Sequence, residues 1–241
     1  HRRQRQMCIR DRLYFWYKTK KIGRILSEDN SEEEAINYID KNFNSIKKPT
    51  AKILYDYANI NKGFEKYEIA IEYYTELLKN VDQSSYAISR ILYRRGSSYE
   101  RTGNYEKADR DLIESLKMYP NEPYTLNYLA YSWLERNYKI DEAIDMIQAA
   151  YKQKENDPYI TDSVGWGFYL IGDYINAEKY LKKALQLMPD DPIVNDHYGD
   201  VLWKLDKKLQ AKYYWQAVLA LEETEDEMKS KVKSKLLEGL E

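Results

Sequence analysis

Small, aromatic and apolar residues recur along the chain at an interval of 34 residues. Counted from Pro158, the stretch to Asp191 carries Gly165 at position 8, Gly172 at 15, Tyr174 at 17, Ala177 at 20, Leu181 at 24, Ala184 at 27 and Pro189 at 32. From Ser89 to Glu122 the same positions hold Gly96, Gly103, Tyr105, Ala108, Leu112, Ser115 and Pro120. Residues 192–224 keep the register with Gly199, Ala211, Trp215 and Val218, and put Asp206 where Gly is usual. Residues 123–157 carry Ala130, Trp133, Ala143, Ile147 and Ala150, with one extra residue in the inter-helix turn around Tyr138 to Ile140. Residues 51–88 carry Ala58, Tyr67, Ala70, Tyr74 and Leu78, with a few added residues before Ser89. Residues 13–50 read as a degenerate first copy through Gly23, Ala35, Ile39 and Phe43. Each period holds two amphipathic helical stretches separated by a turn, so the pattern predicts five to six helix pairs. A last helix follows over 225–241, its apolar residues being Met228, Val232, Leu236, Leu237 and Leu240.

The residue types have a packing rationale. Gly or Ala at position 8 and Ala at position 20 lie where the two helices of a pair approach, and a larger side chain would force them apart. Leu or an aromatic at position 24 fills the space beside them, and Pro at position 32 stops the second helix. No single pair can bury its apolar face alone, so neighbours must stack. This set of positions resembles the tetratricopeptide repeat (TPR). The resemblance implies an all-α, right-handed superhelix of five to six repeats with a concave surface, closed by the helix at 225–241 as a solubility cap.

In that family the first helix of each repeat lines the concave side. Carried onto this sequence, the resemblance gives Lys52, Tyr55 and Asn59, then Arg90, Tyr93 and Arg94, then Asn127, Tyr128 and Tyr131. It continues with Tyr159, Asp162, Trp166 and Tyr169, and ends at Asp196, His197, Asp200 and Trp203. The surface so assembled is aromatic in its middle, basic toward the early repeats and acidic toward the late ones. Tyr and Trp offer large contact area at low entropic cost, which suits recognition of a protein or an extended peptide. With 25 Tyr in the chain, many are also packing filler. The Lys and Asn pattern of the chaperone-tail clamp of co-chaperones is absent: its places hold Tyr55 with Asn59, Arg94, and Tyr124 with Tyr128.

Composition narrows the functional classes. There are 38 Lys plus Arg against 40 Asp plus Glu, which provides no field for nucleic acid or an anionic membrane. No run of apolar residues is long enough for a transmembrane helix. Nine Gly in 241 residues are too few for a turn-rich β fold. The string QRQMCIRDR from Gln4 to Arg12 looks like translated sequencing-adapter read-through, so residues 1–12 are expected to be foreign to the fold and the true N-terminus to be missing. Without that segment Cys8 and His1 disappear, and the loss of five Arg and one Asp leaves 33 basic against 39 acidic residues. Thiol chemistry, disulfides and Cys/His zinc sites then drop out. His197, next to Asp196 and one turn before Asp200, is the one candidate start of an acid-base or metal site. Lacking a second His or a phosphate loop, the sequence predicts no enzyme, no metal and no cofactor. Glu32 to Glu34 after Ser31 read as a capped helix start.

Residues 126–240 have a narrower look. LNYLAYSWLER (Leu126 to Arg136), DEAIDMIQAA (Asp141 to Ala150), ITDSVGWGFYLIGDY (Ile160 to Tyr174), NDHYGDVLWKL (Asn195 to Leu205) and KSKLLEGL resemble exported TPR proteins of alphaproteobacteria related to outer-membrane lipoprotein adaptors of C-terminal processing proteases. That resemblance implies a non-enzymatic scaffold or adaptor of the periplasm or outer membrane, with such a protease as a partner. Two other readings stand beside it: a cytoplasmic assembly module, and the TPR region of a truncated larger enzyme. The upstream sequence separates them.

Overall fold

The computed structural model describes residues 2–28, 31–79, 84–222 and 224–240, with side chains from residue 9 onward; the few added residues after the 51–79 pair fall partly outside this set. Among the described residues there are thirteen α-helices and no strand. They fall into two units, His1–Pro120 and Asn121–Glu241.

The first unit contains α1 (Arg2–Glu28), α2 (Glu32–Asn44), α3 (Ala51–Gly63), α4 (Tyr67–Lys79), α5 (Ser85–Arg101) and α6 (Tyr105–Met118). The second contains α7 (Pro123–Glu135), α8 (Ile140–Gln153), α9 (Pro158–Leu170), α10 (Tyr174–Leu187), α11 (Pro192–Lys204), α12 (Lys208–Ala220) and α13 (Asp226–Glu238). Odd and even helices pair as hairpins; α4 packs on α5, α8 on α9, α10 on α11 and α12 on α13, while α2 meets α3 through the stacked Phe43 and Tyr57 rings and the Tyr57 hydrogen bond to Asp40. α1 runs unbroken from Arg2, and Arg12 hydrogen-bonds to the carbonyl of Lys48.

The small residues sit at the closest approach within each hairpin. A Cβ added to Gly165 would lie 2.5 Å from Leu181 Cγ and 2.9 Å from the Leu181 amide nitrogen. At Gly199 it would meet the indole of Trp215 at 2.5 Å, and at Gly96 the side chain of Leu112 at 2.9 Å. Across these hairpins Ala177, Ala211 and Ala108 are fully buried. The larger partner varies with the space left: Leu181 faces Gly165, Trp215 faces Gly199, and Tyr74 fills the equivalent place of the α3/α4 pair.

The inter-helix turns share one backbone feature. Glu65, Gly103, Asn137, Gly172 and Asp206 all take positive φ, between 52° and 81°. The left-handed conformation reverses the chain in three residues, and only two of the five positions use the glycine that adopts it without cost. The turn between α7 and α8 is longer, residues 136–139, and holds a second left-handed residue, Lys139 with φ 47°. Helices α7, α9 and α11 begin with Pro at the first turn behind an acidic cap: Glu122 accepts from the Thr125 amide, Asp157 from Ile160, and Asp191 from Ile193 and Val194.

Two sequence expectations are corrected. Ser31 occupies the cap position of α2, but its hydroxyl donates back to the Leu26 carbonyl at 3.0 Å and does not cap the helix. In α13, Val232 is buried and Met228, Leu236 and Leu240 pack on the core of the second unit, whereas Leu237 is 85% exposed.

Candidate partner-binding faces

In the first unit, α3 and α5 present Lys52, Tyr55 and Asn59 beside Arg90, Tyr93 and Arg94. Asn59 Oδ1 accepts from the buried Tyr74 hydroxyl at 2.8 Å, and Tyr74 meets Tyr55 edge to face at 6.3 Å. The Tyr55 hydroxyl itself is buried without a hydrogen-bond partner. Lys52 lies 3.9 Å from Asp56, a carboxylate that Lys20 holds more closely at 2.7 Å. The Arg90 guanidinium lies over the Tyr86 ring at 5.6 Å. One turn along, Lys62 Nζ donates to Ser97 Oγ at 2.6 Å. Burial, with Arg94 and Arg101 nearby, lowers the Lys62 pKa to about 8, although Glu100 opposes the shift. Cations therefore outnumber carboxylates on this face. Behind it, Arg95 grips Asp111 through two hydrogen bonds of 2.6 and 2.9 Å and reaches Thr75 at 3.1 Å, tying α4, α5 and α6 together.

In the second unit, α7, α9 and α11 bring most of the expected residues into one connected cluster. His197 is buried, with Nδ1 3.0 Å from Asp162 Oδ2. Its ring stacks on Trp166 at 4.0 Å, and Trp166 stacks in turn on Tyr169 at 4.7 Å. The Trp166 indole donates to Glu135 Oε1 of α7 at 2.7 Å. Burial opposes a charge on His197, yet the adjacent Asp162, with Asp196 and Asp200 beyond, outweighs it and raises the imidazole pKa. The Tyr169 hydroxyl is pushed up by burial and by Asp200. Asn127, Tyr128 and Tyr131 of α7 are half-buried; the Asn127 amide oxygen lacks a hydrogen-bond partner, and the Tyr159 ring is 64% exposed.

The acidic end assigned from sequence is not free. Lys235 of α13 binds both Asp196 and Asp200 at 2.8 Å, and Trp215 donates to Asp200 at 2.9 Å. Burial and Asp196 raise the Asp200 pKa against the pull of Lys235. Trp203 donates to the Leu240 carbonyl at 2.9 Å, its indole packed over Gly239. α13 thus covers the last stretch of the face. Lys235, Glu135 and Lys62 were outside the sequence-derived set: each belongs to a position that faces its partner only once successive helices are stacked.

His197 and its carboxylates form no metal cage: no group of three or more His, Cys, Asp or Glu able to hold a metal occurs among the described residues. No described helix is long and apolar enough to cross a membrane. The arrangement is suited to contact: stacked and half-buried aromatics on rigid helices, with a basic face in one unit.

Comparisons place this architecture among known proteins. The tetratricopeptide repeat model matches residues 89–122. A TPR repeat-containing protein of Pseudomonas aeruginosa is 32% identical over 152 residues, covering 56% of this chain and 26% of that protein. The chain therefore spans about a quarter of the length of that curated relative. Among solved structures, the APC/C hetero-tetramer Cut9-Hcn1 aligns with a TM-score of 0.73 at 19% identity, over 92% of this chain and 42% of that one. A thermophilic TPR protein of Thermus thermophilus aligns with a TM-score of 0.65 at 17% identity, over 78% of this chain and all of that one. The chain thus carries a tetratricopeptide repeat at residues 89–122 within an all-helical fold shared with tetratricopeptide repeat structures.

Proposed function

We propose that the chain is a non-enzymatic scaffold whose first-helix faces bind a segment of a partner protein. The observation that carries this reading is the Trp166 cluster: a half-buried indole held between Tyr169 and His197 and fixed by Glu135. Rigid aromatic surface of this kind lowers the entropic cost of binding and forms the usual centre of an interface. The His197 and Asp162 pair supports the cluster and carries no chemistry of its own. A role as adaptor for a C-terminal processing protease in the bacterial envelope rests on the resemblance of residues 126–240 to exported TPR proteins. The test is affinity capture from a bacterial envelope fraction, parent against Trp166→Ala. Retention of such a protease by the parent and its loss in the variant supports the adaptor role. Equal capture by both removes Trp166 from the binding face.

A further inference from the structure

The first unit contains an open cleft of about 360 Å³ between the N-terminal turns of α3 and α5. Tyr55, Leu77, Tyr86 and Ile91 form its walls, and Lys52 and Arg90 stand at its mouth. The walls are apolar, the two mouth residues are both cationic, and Tyr55 adds a buried hydroxyl without a hydrogen-bond partner. Lys52 has only a long contact to Asp56, which Lys20 already holds, and Arg90 rests on an aromatic face. Both cations are exposed.

The geometry points to this cleft as the seat for a large apolar side chain of an extended acidic peptide, with carboxylates flanking that anchor and meeting Lys52 and Arg90. The size suits one aromatic or leucine side chain. The charge fixes the sign of the partner: Lys62 and Arg94 extend the positive potential along the same face, so an acidic segment is attracted over its length and a basic one is repelled. The assignment rests on the scaffold reading above and adds the partner's chemistry.

The test uses the whole chain and a labelled peptide in which Leu and Phe are flanked on each side by two Glu, measured by fluorescence anisotropy at low and at moderate salt. The expected result is saturable binding that weakens with salt, is lost when the four Glu become Lys, and is lost when Leu and Phe become Ala. Lys52→Glu combined with Arg90→Glu should weaken binding about ten-fold or more, as should Ala51→Phe, which fills the cleft from an exposed position. Circular dichroism of both variants should match the parent. Equal binding of the Lys peptide, or no change in either variant, overturns the assignment. A partner protein that still crosslinks to Tyr159 in those variants would leave the scaffold reading standing while this cleft fails.

Discussion

His197 and Asp162 stand 35 residues apart in sequence and 3.0 Å apart in space, a contact that joins the first helices of two successive hairpins. The groups facing the imidazole are Asp162, Asp196 and Asp200, with Lys235 beyond them. The folded pKa lies above the ordinary value of 6.5. The stabilisation is then complete below the unfolded value and is lost as pH rises through the higher folded one. Asp200, whose pKa is also raised, changes stability in the same sense. The thermal midpoint of the parent should fall as pH rises above about 6.5, and His197→Gln should flatten most of that slope. A variant with the parent's slope would assign the pH dependence to another group.

Gly165 has no room for a side chain, since even a Cβ would press on the Leu181 backbone. Gly165→Leu should destabilise the chain by roughly 1 to 3 kcal/mol in denaturant unfolding, as overpacking does. An unchanged midpoint would mean that the helices separate at this point at no cost.

Lys235 balances two carboxylates that are otherwise buried against each other. Lys235→Ala should cost about 2 kcal/mol or more, because removing one partner leaves uncompensated charge. It should also loosen α13, exposing Trp203 and Val232. Hydrogen exchange should quicken in 226–238 ahead of the rest of the second unit; uniform exchange would show that the apolar contacts alone hold the helix.

Glu65 has φ 57°, a conformation costly for a long side chain, and its contact with Arg101 is exposed and 3.5 Å long. Glu65→Gly should stabilise by roughly 0.5 to 1 kcal/mol, the left-handed penalty outweighing the weak ion pair. A lower thermal midpoint for the variant would reverse that ranking.

The fold was legible in sequence because its constraints are local and repeated. Gly165 and Leu181, Gly199 and Trp215, and Gly96 and Leu112 are each close in sequence, and a small residue is required at every crossing. The site was legible only as a set of positions. Which of them pair depends on distances between stacked hairpins, so the His197 contact with Asp162, the reach of Arg95 to Thr75 and the docking of Lys235 carry no sequence signature. Leu237 shows a different limit: it stands one residue off the stripe of Met228, Val232, Leu236 and Leu240, so its apolar identity alone grouped it with residues that pack inward while it faces outward.

Site-specific photocrosslinking in the native cell gives the most direct test of the claim that first-helix faces receive the partner. Tyr159 on α9 and Leu209 on α12 are 64% and 88% exposed, so a photoreactive residue at either disturbs little packing. The account predicts a discrete crosslinked protein from position 159 and none from 209, with the product at 159 lost in Trp166→Ala. Crosslinking from 209 alone would contradict it and move the interface to the second helices.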